Sequence, residues 1–263
     1  MIMQNKKKGI FFWLTPVFVE ILGQLIIQGI AEFWFMNRFP DKNVSEISMY
    51  AAEITVLTAL LLIPLMFFLY RRDAVQGGNL KAEKNLNAST IVNMIITAAG
   101  ACVLINGLIA VSGVQQLSEA YTETAEALYR PSFAFQMIGL GVIVPLMEEL
   151  VFRGLMYKRM RRSMSVKKAV IISAFIFGLL HGNLVQFIFA FSIGLLLAYA
   201  YELTGNFLIP AVGHISVNIT SLVFTEYHIF EWTFEKGIRF VGMIVLSVVL
   251  MMSGLQKIRN QNI

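Results

Sequence analysis

GVIVPLMEELVFRGLMYKRMRRSMSVKK, residues 141–168, sets the character of the chain. Its first part is apolar enough to cross a bilayer, yet it holds Glu148, Glu149 and Arg153. It then ends abruptly in the basic run Lys158–Lys168. A charge at mid-bilayer costs about 2.5–3.5 kcal/mol on insertion scales, so ionisable residues persist there when they are paired, hydrated or used. The basic run reads as the cytoplasmic boundary of a spanning helix, anchored against anionic headgroups.

Outward from that stretch the same solvent logic holds. The chain of 263 residues is 57% hydrophobic and 14% charged, with a mean hydropathy of +0.70, outside the range of soluble domains. Apolar runs of spanning length recur at roughly 9–36, 49–70, 88–112, 132–157, 168–184, 185–202, 206–225 and 238–255. The expected fold is therefore all-α: a polytopic bundle of about eight spans, forming one membrane domain over residues 1–263. The junction near Gly182 and Asn183 is the weak point, because one long kinked helix there would leave seven crossings.

Eight spans with both ends on one side place 15 of the 21 basic residues on that side, among them Lys6–Lys8, Arg71, Arg72 and the 158–168 run. Arg38, Lys42, Arg130, Lys236 and Arg239 fall opposite. Both termini are expected in the cytoplasm, the bundle in the cell membrane. The net charge of +5 orients helices and implies no nucleic-acid partner. Lys6–Lys8 and the following run resemble a signal peptide, but the run is too long and carries Glu20 and Glu32, so it is read as a retained helix. Cys102, the single cysteine, permits neither an intrachain disulfide nor a cysteine metal cluster. Between spans, Leu117, Tyr121, Ala125 and Leu128 follow helical spacing among glutamates, which predicts a short amphipathic helix on the outer surface.

Chemistry concentrates in the middle of the chain. Glu149 and Arg153 stand at i,i+4 and share a face, whereas Glu148 points about 100° away, which leaves it the freer carboxylate. Pro145 is expected to kink this helix and free a backbone carbonyl. His181 follows Phe177 by one turn, and Asn218 follows His214 by one turn. The two histidines agree in depth only if the span carrying His181 is tilted or broken. Taken singly, each of these groups also fits interhelical polar glue. Glu20, Glu32 and Glu53 are lone acids without a basic neighbour at helical spacing, and read as interior hydrogen-bonding groups or a hydrated vestibule. His228 reads as a surface residue.

EELVFR (148–153), FGLLH (177–181) and HISVN (214–218) occur in that order on separate predicted spans. The set resembles the CAAX protease and bacteriocin-processing (CPBP, or Abi) family of intramembrane endopeptidases, related to the type II CAAX prenyl endopeptidase, over a motif-bearing core of about 132–225. The resemblance implies a hydrolase whose catalytic residues are Glu148, Glu149, Arg153, His181, His214 and Asn218, with no cofactor. In that mechanism Glu148 deprotonates a water held with His181, and the oxyanion forms near His214 and Asn218. The alternative keeps zinc on Glu148, His181 and His214 with an open water position. The metal-free version is favoured because Asn218 has an oxyanion role and no duty as a zinc ligand. The only aspartates, Asp41 and Asp73, lie in loops, which excludes an aspartyl dyad in the membrane, and HExxH is absent. The implied partners are a membrane-associated peptide or protein substrate, prenylated CAAX or a peptide precursor, and the lipid bilayer. A non-enzymatic scaffold or ion-coupled carrier is the rival of another class, although the paired repeats of a carrier are missing.

Overall fold

A computed structural model describes residues 9–77 and 87–262, and every element in it is helical. In chain order these are α1 (Ile10–Arg38), a 3-10 turn (Val44–Tyr50), α2 (Ala51–Gly77), α3 (Ala88–Ser112), a second 3-10 turn (Val114–Leu117) and α4 (Glu119–Tyr129). Then follow α5 (Phe133–Met160), α6 (Val166–Leu179), α7 (Leu184–Thr204), α8 (Leu208–Glu226), α9 (Ile229–Glu235) and α10 (Gly237–Asn262). The protein is a polytopic all-α bundle.

Seven helices, not eight, are long and apolar enough to cross a membrane among the described residues. The expected span at 168–184 is the one that fails. It is α6, with 14 residues, which reach about 21 Å against the roughly 30 Å of hydrocarbon. The chain then turns at Gly182, in the left-handed region at φ 79°, and Asn183 restarts the helix by accepting the Gln186 N–H at 2.9 Å. The split near Gly182 and Asn183 is thus real, but it separates a short helix from a full span. Because α6 and α7 form an antiparallel hairpin, helix direction still alternates. A side chain at Gly194 would stand 3.1 Å from Ala174, and one at Gly178 would stand 3.0 Å from Phe187.

Contacts between distant residues define one end of the bundle. Arg159 donates to the Phe12 carbonyl at 2.9 Å and pairs with Asp73 at 2.6 Å, joining the start of α1, the end of α2 and the end of α5. Arg161 pairs with Glu202 at 2.9 Å and adds the end of α7. Thr90 donates to Gln261 at 3.0 Å, bringing the start of α3 to the end of α10. At the other end Arg130 pairs with Glu53 and stacks on Tyr50. The basic residues expected on one side therefore gather at one end as far as they are described. Lys6–Lys8, Lys81 and Lys84 lie outside the described residues.

The α4 helix forms where amphipathic spacing predicted one. Ser118 caps it by accepting the Tyr121 N–H at 3.2 Å, and Tyr121, Ala125 and Leu128 are half-buried while Glu119, Glu123 and Glu126 are exposed. The side chain of Leu117 lies outside the described set. Large apolar side chains such as Phe11, Phe33, Leu61 and Ile238 stand exposed around the bundle, as lipid-facing positions require.

In lipid, close helix contact rests on packing rather than on escape from water, and small residues permit it. The α3–α10 pair shows this. A Cβ at Gly100 would lie 2.8 Å from the Ser247 carbonyl oxygen and 2.9 Å from the Met251 nitrogen, both backbone atoms. Gly100→Leu is therefore expected to separate α3 from α10 and abolish a monodisperse peak in detergent size-exclusion chromatography. Gly9→Leu, at a site with nothing within 4 Å, is the matched control.

Candidate active site

Two wide-turn segments position the site. Helix α5 is α-helical at Val144–Glu149 and π-helical on either side, at Gln136–Ile143 and Leu150–Tyr157. Single π turns inside α-helices commonly mark functional sites. The cause upstream is visible in the hydrogen bonds. Val144 N–H reaches back five residues to the Gly139 carbonyl. In that register the next carbonyl, that of Leu140, would be served by residue 145, and Pro145 has no N–H. Asn218 supplies the missing donor from α8, its Nδ2 bonding Leu140 O at 2.9 Å. The expectation that Pro145 frees a carbonyl is met at Leu140.

One turn later come the carboxylates. Glu149 is fully buried and Arg153 Nη1 donates to its Oε1 at 2.7 Å. Arg153 is fully buried too, donates through Nη2 to the Gly194 carbonyl at 3.1 Å, and lies 4.8 Å over the Phe177 ring. Gly194 can offer that carbonyl because α7 approaches α6 without a side chain between them. Glu149 Oε1 also takes a second donor, His214 Nδ1 at 2.9 Å. A carboxylate beside a guanidinium is an acceptor, so His214 donates from Nδ1 and presents Nε2 on its other side. There it meets Glu148 Oε2 at 3.6 Å. Glu148 keeps 18% of its side chain accessible, against none for Glu149, so the two adjacent glutamates occupy different environments.

His181 sits past the end of α6, at the tip of the α6–α7 hairpin. Its Nδ1 lies 2.9 Å from the Phe177 carbonyl, an obligate acceptor, so Nδ1 carries the proton and Nε2 keeps its lone pair. The Phe177 ring is the common wall, edge-on to His181 at 4.9 Å and to His214 at 5.6 Å. The mismatch in depth between the two histidines is removed by the shortness of α6, which ends before crossing.

The six residues named from sequence thus fall in two layers. Glu148, Glu149, Arg153 and His214 form one linked cluster, His181 joins it across Phe177, and Asn218 stands one turn along α8 holding Leu140. Among the described residues no group of three or more His, Cys, Asp or Glu side chains is arranged to hold a metal ion, so Glu148, His181 and His214 form no ready zinc set. Glu32 accepts from Gln28 at 2.9 Å, and Glu53 pairs with Arg130, 77 positions away. The expectation of a lone Glu53 is corrected: its partner comes from outside its own helix. His228 is exposed, beside Glu231.

Comparison with known proteins bears on the same stretch. Residues 130–220 match the family model described as Type II CAAX prenyl endopeptidase Rce1-like. The match is consistent with the CAAX protease family and supports a protease. It spans α5 to α8, the segment that carries all six site residues. No curated protein and no solved structure matches the chain.

Proposed function

We propose that this multi-pass membrane protein is an endopeptidase that hydrolyses a peptide bond of a membrane-associated substrate with a water activated by Glu148. The observation that carries the reading is the asymmetry of the two glutamates: Glu149 is committed to Arg153 and His214, whereas Glu148 is partly accessible and touches only the far side of the same imidazole.

Glu148 accepts a proton from water, with the His181 Nε2 lone pair as the second acceptor that orients it. The hydroxide forms the new C–O bond to the scissile carbonyl. Negative charge on the carbonyl oxygen develops toward the Asn218 amide, whose second N–H is not taken by Leu140, and toward His214, whose Nε2 donates there when both ring nitrogens carry a proton. Glu148 returns its proton to the amine as the C–N bond breaks. Glu149, held by Arg153, anchors the Nδ1–H of His214 and so aims its Nε2 edge into the site. The substrate class is a prenylated CAAX peptide or another membrane-tethered peptide precursor, met from the basic end of the bundle. Gathering of positive charge there favours both termini in the cytoplasm and the cell membrane as location. No cofactor is required, and zinc is the rival outcome.

The test is cleavage of a farnesylated CAAX peptide and of a library of membrane-tethered peptides by the purified protein in detergent, with chelator and then with added zinc. Cleavage that survives chelation is expected. A complete, zinc-reversible loss would overturn the metal-free mechanism, and no cleavage of any peptide would favour a scaffold or carrier.

A further inference from the structure

The α6–α7 turn holds a second polar device beside His181. Asn183 caps α7 through Oδ1, which accepts the Gln186 N–H at 2.9 Å, and that bond alone suffices for a cap. Its Nδ2 goes further and donates to the side-chain Oε1 of Gln186 at 3.0 Å. The oxygen of the Gln186 amide is thereby turned toward the cap and its NH2 group away from it. That NH2 group meets no acceptor among the described residues, and Gln186 is only half-buried. An amide donor left bare at membrane depth is costly, so water or a ligand has to meet it.

The direction in which it faces follows from its neighbours on α7. Ala190, Ile193, Gly194 and Leu197 succeed Gln186 at helical spacing, and all four are buried. Ala190 packs in the core built on α5, whereas Ile193 and Leu197 pack in the core shared with α3 and α8. Gln186 therefore looks into the junction of α5 and α8, the one that Asn218 bridges to reach Leu140. Level is fixed by contacts as well. Helices α5 and α7 run parallel, joined by Arg153 on the Gly194 carbonyl and by Tyr157, whose hydroxyl donates to Glu202 at 2.9 Å. Measured from the Arg153–Gly194 contact at 1.5 Å per residue, Glu148 lies about 8 Å and Gln186 about 12 Å toward the outer end. His214 is level with Glu149 through their bond, which puts Asn218 at about 12 Å too. Every residue of α5 from Glu149 to Met160 is buried, whereas Glu148, His181, Gln186 and Asn218 each keep accessible surface.

We propose that Gln186 is a substrate-binding residue: its Nε2 hydrogens, aimed by Asn183, take a backbone carbonyl of the bound peptide beside the scissile bond, across from Asn218. An extended peptide advances about 3.3 Å per residue, so a donor one helical turn beyond Glu148 meets a carbonyl one or two residues from the one under attack. Such a bond is made to substrate and transition state alike and acts on binding. The inference rests on the protease reading above and names how that site holds the peptide backbone.

The experiment measures KM and kcat of wild type, Gln186→Met and Asn183→Asp on the farnesylated CAAX peptide, and on versions with a single carbonyl near the scissile bond reduced to methylene. Folding is checked by detergent size-exclusion chromatography and thermal melting. Gln186→Met keeps the shape and removes the donor, so KM is expected to rise about 3- to 10-fold, the worth of a hydrogen bond, with kcat near wild type. Asn183→Asp keeps the cap, but its second oxygen accepts where Nδ2 donated. The Gln186 amide then turns over and presents its oxygen to the peptide, so KM should rise at least as far while the melting temperature holds. One reduced peptide should bind wild type more weakly yet lose nothing further in Gln186→Met, as two halves of a single bond require. Wild-type KM in Gln186→Met, penalties that add for every reduced peptide, or melting temperature and activity falling together in both variants overturn the inference and leave the protease reading intact. Undiminished cleavage by Glu148→Gln overturns that reading itself.

Discussion

Glu148→Gln is expected to fold, insert and purify as the wild type does while losing about 10²- to 10⁴-fold in kcat, the usual contribution of a general base. The amide matches the carboxylate in shape but cannot take a proton from water. Nothing structural hangs on Glu148: the guanidinium of Arg153 is bound to Glu149, and the Glu148 contact to His214, at 3.6 Å, is longer than a strong hydrogen bond. Binding of a non-cleaved peptide analogue should be preserved, so the loss belongs in kcat rather than KM. Full activity in this variant would remove Glu148 from the role of base.

Glu149→Gln is expected to do a different kind of damage. Here the lost charge leaves Arg153, which has no accessible surface, with the Gly194 carbonyl and the faces of Phe177 and Phe152 but no anionic partner in contact. Removing one member of a buried pair typically costs about 3–5 kcal/mol, so a lower melting temperature in detergent and poor yield are expected. His214 loses the acceptor that fixes its Nδ1 proton at the same time. The pair of substitutions Glu149→Leu and Arg153→Leu separates the two effects. With both charges gone the fold should recover much of its stability, because a well-packed apolar pair replaces a buried ion pair at little cost. Activity should not recover, since the imidazole remains unanchored. Recovery of cleavage in the double variant would mean that Glu149 serves stability alone.

Hydropathy alone was enough to place seven of the helices, because a lipid-facing helix must be apolar over its whole length whatever its partners. It misread α6, whose composition is as apolar as a span but whose length is set by the turn at Gly182 and the cap at Asn183. The Glu149–Arg153 bridge was legible because it is local, at i,i+4. The partners of Glu53, Asn218 and His214 were not, for each lies outside the residue's own helix, between 65 and 78 positions away. Glu20 left a signal, an acid in mid-span with no neighbour of opposite charge, and its buried Oε2 has no hydrogen-bond partner among the described residues. The π turns of α5 had one visible cause in Pro145, and the width of the turns themselves was hidden.

The bond between Asn218 and the Leu140 carbonyl makes two distant positions a single unit of inheritance. A proline at 145 leaves a carbonyl without a donor in the middle of the bundle, and the α8 amide closes that debt from 73 positions downstream. Loss of Asn218 thus deprives the protein of a backbone partner as well as of a group near the reacting carbonyl. Return of an N–H at 145 would let α5 satisfy itself and set Asn218 loose. Change at either position alone is disfavoured on grounds that have nothing to do with substrate, and drift in this lineage is expected to carry the two together.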